Sequence, residues 1–314
     1  MSLLINMLLK NLINNIPKEK KKIIITGLST NSKEVKKGHI FFAIKGKNSN
    51  GEKFIEEAIN NGAIVIICSN NFQYKNKKVL IIKKKNIRNF VSEVSSRFYK
   101  LKPKNIIAVT GTNGKTSVAD LFYQILSLNN IPVASIGTLG VKYKNKTLKT
   151  GLTSPDTISI HRYLQNIKKN KIDNVIIEAS SHGLKQDRLH NINFKAAIFT
   201  NFSQDHLDYH KTMKSYLNAK LILFKKILKN NSGIISDKNI NEFLTLKKIA
   251  KSRGLKVIEI SKLIEKIKII SSSKVNNFKI KNLAMAIAAT KLCNLKNKNI
   301  YQSLKRIKDV DGRI

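Results

Sequence analysis

The chain is expected to be an α/β protein, a small N-terminal α/β domain followed by a P-loop-type central domain with a mainly parallel sheet. Three observations lead there. Apolar, β-branched runs alternate with helical patterns from Ile106 to Ile260, the signature of a parallel sheet covered on both faces. A glycine and lysine turn, Gly111 to Thr116, joins the first of those runs to its helix. Lys102-Pro103-Lys104 interrupts the pattern upstream, because proline disfavours helix at the residue before it. The domains are therefore expected to be residues 1–102 and 103–314, and 314 residues suffice for a core in each.

In the N-terminal domain, Ile40 to Ile44 and Ala63 to Cys68 read as strands. The helical stretch between them, Phe54 to Asn61, stops at Gly62. Lys83 to Lys100 reads as an amphipathic helix, and Leu3 to Ile16 carries apolar residues at roughly helical spacing. Beyond the proline, strands are expected at Ile106 to Thr110, Val133 to Ile136, Asn174 to Glu178, Ala196 to Thr200, Gly233 to Ser236 and Lys256 to Ile260. Helices are expected at Thr116 to Leu128, Ile158 to Asn170 and Met213 to Leu228. Ligands in such sheets sit at the carboxyl ends of the strands.

Lys and Arg total 59 against 19 Asp and Glu, a net charge of +40. The excess lysine travels with asparagine and isoleucine along the whole length and forms no basic arm, so it reads as solvated surface and no nucleic-acid partner is expected. Cys68 and Cys293 lie far apart in apolar segments, without metal-ligand spacing, and read as reduced core residues. The N-terminus is too polar for a signal peptide core, and no segment approaches the ~20 apolar residues of a membrane span. A soluble, cytoplasmic, monomeric protein is expected.

The strongest chemical signal is Ile106-Ile107-Ala108-Val109-Thr110-Gly111-Thr112-Asn113-Gly114-Lys115-Thr116. A strand enters a glycine loop and leaves as a helix, so backbone N–H groups face an anion while Lys115 reaches the outer phosphates of ATP. The Thr116 hydroxyl can be offered to Mg²⁺. Val109 stands where the common GxxxxGK[ST] pattern has its first glycine. The same segment could serve merely as a tight turn with an exposed lysine. Glu178, at the end of a strand, can hold a cation beside phosphates, or can be a solvated strand-end carboxylate.

Gly111-Thr112-Asn113-Gly114-Lys115-Thr116 after an apolar strand resembles the ATP loop of the Mur ligase family. Glu178 to Leu184 with Gln186 and Arg188 is similar to that family's E-x-S-S-H-x-L-x-Q-x-R block, and Phe199 to His210 resembles the stretch of its MurE type. The resemblance spans nearly all of the chain. It implies an ATP-dependent ligase that adds the third amino acid, with diaminopimelate the commoner choice, to UDP-MurNAc-L-Ala-D-Glu through an acyl phosphate. It implies that Lys115, Glu178, His206 and Lys220 are catalytic. Thr116, Glu178, His206 and Lys220 would hold Mg²⁺, Lys220 as the carbamate formed with CO₂; from the sequence alone Lys220 is one solvated lysine among many. Gly111, Thr112, Asn113, Gly114, Lys115, Thr116, Asn282 and Arg313 would bind ATP. Thr30, Ser32, Thr153, Ser154, Ser180, Gln186 and Arg188 would contact the UDP-MurNAc-dipeptide, and a free amino acid would be the other substrate.

The chain departs from the family pattern at several positions. Asn31 and Lys33 replace the two charged residues of a D-S-R pattern, Ser154 replaces a threonine, Lys279 an asparagine and Asp311 a proline. The family continues into a C-terminal domain beyond the position of Ile314, so that domain is expected to be absent and the chain poorly active alone. Three alternatives stand beside this reading: another Mur-type or folylpolyglutamate-type ligase, a non-catalytic fragment, and a nucleic-acid-binding P-loop ATPase.

Overall fold

The computed structural model describes residues 6–46, 49–144, 146–270 and 277–308. They divide into two compact units, Met1–Lys100 with Thr157–Arg162, and Leu101–Asp156 with Tyr163–Ile314.

In the first unit the elements run β1 (Met7–Leu8), β2 (Ile24–Ile25), β3 (Gly27–Ser29), β4 (His39–Phe42), α1 (Ile55–Asn60), β5 (Ala63–Ser69), β6 (Leu80–Lys84) and α2 (Ile87–Phe98). Strands β3 to β6 form a parallel four-stranded sheet in sequence order. Two expectations change here. Lys83 and Lys84 end β6, because Leu80-Ile81-Ile82 favours pairing with β5 over helix. Met7–Leu8 pairs with β2 and continues as a 3₁₀ turn, Leu9–Asn11, where helical spacing suggested an α-helix. The apolar spacing is still spent on burial, with Leu9, Leu12 and Ile13 inside the core beside Phe42, Val65 and Val94.

The second unit runs β7 (Asn105–Thr110), α3 (Lys115–Leu128), β8 (Val133–Gly137), β9 (Gly140–Tyr143), β10 (Lys146–Leu148), α4 (Thr157–Lys169), whose first turns count with the first unit, β11 (Asn174–Glu178) and α5 (Ser181–Lys185). It continues with β12 (Ala196–Phe199), α6 (Leu207–His210), α7 (Met213–Ile222), a π turn (Leu223–Ile227), β13 (Gly233–Ser236), α8 (Phe243–Arg253), β14 (Lys256–Glu259), α9 (Ser261–Ile270), α10 (Asn277–Lys291) and α11 (Asn297–Leu304). The sheet order is β10-β9-β8-β11-β7-β12-β13-β14. All neighbours from β8 to β14 pair in parallel, and β9 and β10 add an antiparallel edge.

This order positions the site. The chain leaves β7 toward β8 on one side and later returns to place β12 on the other, so the strand order reverses at β7 and opens a crevice at the carboxyl ends of β7, β11 and β12. Beneath it, Val118, Phe122, Ile125 and Leu126 of α3 and Ala284, Ile287 and Ala288 of α10 bury against Ile107, Val109 and Ile198. The expected helix from Met213 to Leu228 leaves α geometry after Ile222. The Arg253 guanidinium donates to the carbonyls of Lys225 and Leu228, two of the groups a helix end leaves without a partner of its own.

Candidate functional site

β7 ends at Thr110, and Gly111 takes φ +145° before the turn reaches Gly114 at φ +84°, the residue that caps α3. Both glycines are required by close approach as well as by backbone angle. A methyl on Gly111 would stand 1.8 Å from Thr200 Oγ1, and one on Gly114 would stand 2.6 Å from Asn282 Oδ1. Asn282 is thereby placed over the loop, 4% exposed, at the second turn of α10. Backbone bonding of α3 to this loop begins with Val118 N–H donating to the Gly114 carbonyl at 2.9 Å. Lys115 Nζ donates to the carbonyls of Gly111 at 3.0 Å and Thr112 at 2.7 Å.

Glu178 closes β11 one strand away. Its carboxylate, 2% exposed, accepts from Thr116 Oγ1 at 3.0 Å, from the Thr138 N–H at 2.9 Å and from Thr138 Oγ1 at 3.1 Å. Burial pushes its pKa up, and the bonds from Thr138 and Thr116 and the Lys115 charge pull it partly back. Gly137 has to be glycine here, since a methyl would meet Glu178 Oε1 at 2.1 Å.

Helix α7 delivers Lys220, 1% exposed, with Nζ 2.6 Å from the Gly111 carbonyl and 4.2 Å from the centre of the Tyr216 ring. Burial, reinforced by the Lys115 charge and opposed by Asp205, lowers its pKa to about 6. Its amine is therefore mostly neutral near pH 7. His206 takes φ +51° at the head of α6 and is about half exposed, with Nε2 3.4 Å from Asp205 Oδ2. His210, at the end of that helix, is buried, accepts or donates at 3.0 Å with Ser181 Oγ, and burial lowers its pKa to about 4.

Thr112, Asn113, Lys115, Thr116, Thr153, Ser180, His206 and Lys220 line one cleft of about 270 Å³. Glu178 lies directly behind it, on Thr116 and Thr138. Ser154 is buried and its hydroxyl is committed, donating to the Glu178 carbonyl at 2.8 Å and accepting the Ser180 N–H at 3.0 Å. Arg188 donates to the Ser154 carbonyl and, through Nη2, to Gln186 Oε1 at 2.7 Å, so the three form a local network beside the cleft. In the first unit Thr30 is exposed just after β3, and the Ser32 hydroxyl donates to Glu57 at 2.6 Å. Arg313 lies outside the described residues.

Four further residues line the cleft without having been singled out: Thr138, Ser181, Asp205 and Tyr216. Thr138 directly follows β8 and could have been found from the rule that strand ends carry sites. Tyr216 stands four residues before Lys220 on the same helical face.

The residues suit a hard cation beside phosphates. Among the described residues no group of three or more His, Cys, Asp and Glu could hold a metal ion by itself. One buried carboxylate and a threonine hydroxyl are nevertheless the kind of partial oxygen set that Mg²⁺ accepts when phosphate oxygens and water complete its shell. As an amine Lys220 does not fit such a shell; as a carbamate it does.

A parallel sheet whose first strand enters a glycine and lysine loop, with a buried carboxylate at the neighbouring strand end, defines a nucleotide-phosphate-binding α/β protein. More narrowly, the chain belongs to the Mur ligase family: the Mur ligase middle domain matches residues 109–300, and the Mur ligase family catalytic domain matches residues 24–99. A UDP-N-acetylmuramoyl-L-alanyl-D-glutamate–2,6-diaminopimelate ligase from Rickettsia montanensis is 37% identical over 315 residues, covering 92% of this chain and 65% of that protein. The enzyme of the same name from Zymomonas mobilis subsp. mobilis is 39% identical over 256 residues, 81% of this chain and 52% of the relative. A solved structure bearing the same ligase name shares the fold with a TM-score of 0.82 at 22% identity, over 98% of this chain and 68% of that one. The chain thus spans about 65% of the length of the first of these relatives. Among the described residues no helix is long and apolar enough to cross a membrane.

Proposed function

We propose that the chain carries the ATP and nucleotide-sugar part of an ATP-dependent ligase that joins 2,6-diaminopimelate to UDP-MurNAc-L-Ala-D-Glu in the cytoplasm. The observation that carries this reading is the convergence of Lys115, Thr116 and Lys220 with Thr153 and Ser180 in one cleft, backed by Glu178. The relatives' names support the choice of substrates.

In this reading a carboxylate oxygen of the D-Glu residue attacks the γ-phosphorus of ATP and ADP leaves. The amine of the incoming amino acid then attacks the acyl carbon of the resulting acyl phosphate, inorganic phosphate leaves, and the nitrogen gives up its proton. The Gly114 N–H, the N-terminus of α3 and the Lys115 ammonium hold the phosphate chain. Thr153 and Ser180 offer hydroxyls in the same cleft to orient the peptide carboxylate. Thr116, Glu178 and His206 would hold Mg²⁺, which when bound offsets negative charge on the phosphates. The neutral Lys220 amine would add to the carbon of CO₂ and lose a proton, turning a nitrogen that does not suit a Mg²⁺ shell into a carbamate that offers it oxygen. Thr30, Ser32 and Asn31 would form the uridine side, and Asn282 the base or ribose side of ATP.

Trapping with hydroxylamine tests the phosphoryl-transfer step. With ATP, Mg²⁺ and UDP-MurNAc-L-Ala-D-Glu, the chain is expected to yield the hydroxamate of the nucleotide peptide, detected by mass, and to yield none without ATP. No hydroxamate above the ATP-free control, from folded protein, would contradict the reaction.

A further inference from the structure

The hydrogen bonds around Asn113 tie the glycine loop to the segment that follows β12. Asn201 Oδ1 accepts the Asn113 N–H at 2.9 Å, and Asn201 Nδ2 donates to the Asn113 carbonyl at 3.1 Å. The same carbonyl accepts Thr200 Oγ1 at 2.6 Å, so both of its lone pairs are used. The Asn201 carbonyl takes the Thr112 N–H at 3.0 Å. Thr112 Oγ1 in turn is held by the Ser203 N–H at 3.1 Å and donates to the Ser203 carbonyl at 3.2 Å.

This arrangement decides which way each peptide of the loop faces. A trans peptide points its C=O and N–H to opposite sides. Holding the Asn113 carbonyl on Thr200 and Asn201 turns the Gly114 N–H away from that segment. The Thr112 and Asn113 N–H groups are consumed, which makes the Gly114 N–H the donor that this turn offers to an anion. The positive φ of Gly114 is the backbone expression of the same turn.

Resting on the ATP reading above, we propose that Asn201, assisted by Thr200, is a positioning residue that holds the Asn113–Gly114 peptide in the orientation that binds phosphate. Asn201 touches no phosphate itself. Its side-chain amide pairs with a whole backbone residue, donor to acceptor and acceptor to donor, as a neighbouring strand would. A peptide released from this pairing is free to present its carbonyl oxygen to the anion.

Calorimetric titration of the full chain with ATP and with inorganic triphosphate, each with Mg²⁺, tests the proposal, alongside Asn201→Leu and Thr200→Val. Inorganic triphosphate reads the loop without base or ribose contacts. Asn201→Leu is expected to lose about tenfold in affinity for both probes, the size of one or two lost hydrogen bonds. Its affinity for UDP-MurNAc-L-Ala-D-Glu is expected to stay within about twofold of wild type, which a general loss of structure would not allow. Should Asn201→Leu fail to fold, Thr200→Val decides, with a smaller loss for both phosphate probes expected. Unchanged affinity for triphosphate in a folded variant overturns the positioning role and leaves the ATP reading intact. A folded wild-type chain that binds neither probe overturns the ATP reading and this inference together.

Discussion

Lys220 keeps its amine 2.6 Å from the Gly111 carbonyl with 1% of the side chain exposed, and burial holds its pKa near 6 against 10.5 for a free lysine. Between those values the unfolded chain binds one proton more than the folded one, so this group makes stability rise as pH rises. The contribution is complete above about 10.5 and is lost as pH falls toward about 6. One proton corresponds to roughly 1.4 kcal/mol per pH unit. In CO₂-free buffer, the stability difference between wild type and Lys220→Met, measured by urea unfolding, is therefore expected to grow in favour of wild type from about pH 6.5 to about pH 8.5. Parallel pH curves would show that the folded amine is not held neutral. At this scale the sequence was only partly legible. Lys115 and Thr116 are marked by their place after Gly114, whereas a lysine in a lysine-rich helix carries no local sign of burial. Asn201 is likewise invisible until β12 is known to lie beside β7, because its partners are 88 residues away.

Among the elements, the strand, loop and helix of β7 and α3 carry the site, and their geometry depends on Gly111. An added methyl would meet Thr200 Oγ1 at 1.8 Å in a backbone conformation, φ +145°, that side chains rarely adopt. Gly111→Ala is expected to cost at least about 2 kcal/mol in denaturant unfolding and to weaken nucleotide binding at the same time. A variant as stable as wild type would mean that the loop relaxes at little cost. Most of the parallel strands were legible because they are short apolar runs bounded by polar residues. β3 and β6 were not, because Gly27-Leu28-Ser29 makes no apolar run and the lysines of β6 also suit the helix that follows. The β9–β10 hairpin escaped notice too: Lys146, Thr147 and Leu148 are all exposed, so no apolar alternation marks the edge strand. The π turn after α7 has no sign in the local sequence, and the Arg253 that bonds the carbonyls of Lys225 and Leu228 lies 28 and 25 residues further on.

For the molecule as a whole, the +40 charge and the phosphate cleft act in the same direction, since positive potential raises the local concentration of anions. The fold class was readable from alternation alone, and the family from the order in which Gly111–Thr116, Glu178–Arg188 and Phe199–His210 follow one another. What alternation could not supply was strand order, and it is the reversal at β7 that brings residues from β7, β8, β11, β12 and α7 around one cleft. The central claim is that this cleft binds the phosphates of ATP through Lys115. Calorimetric titration of ATP with Mg²⁺ into the chain and into its Lys115→Ala variant tests it most directly. The account predicts saturable one-site binding by wild type and a loss of at least about tenfold in the variant. Equal affinity in the two proteins, or no binding by the folded wild-type chain, would contradict it.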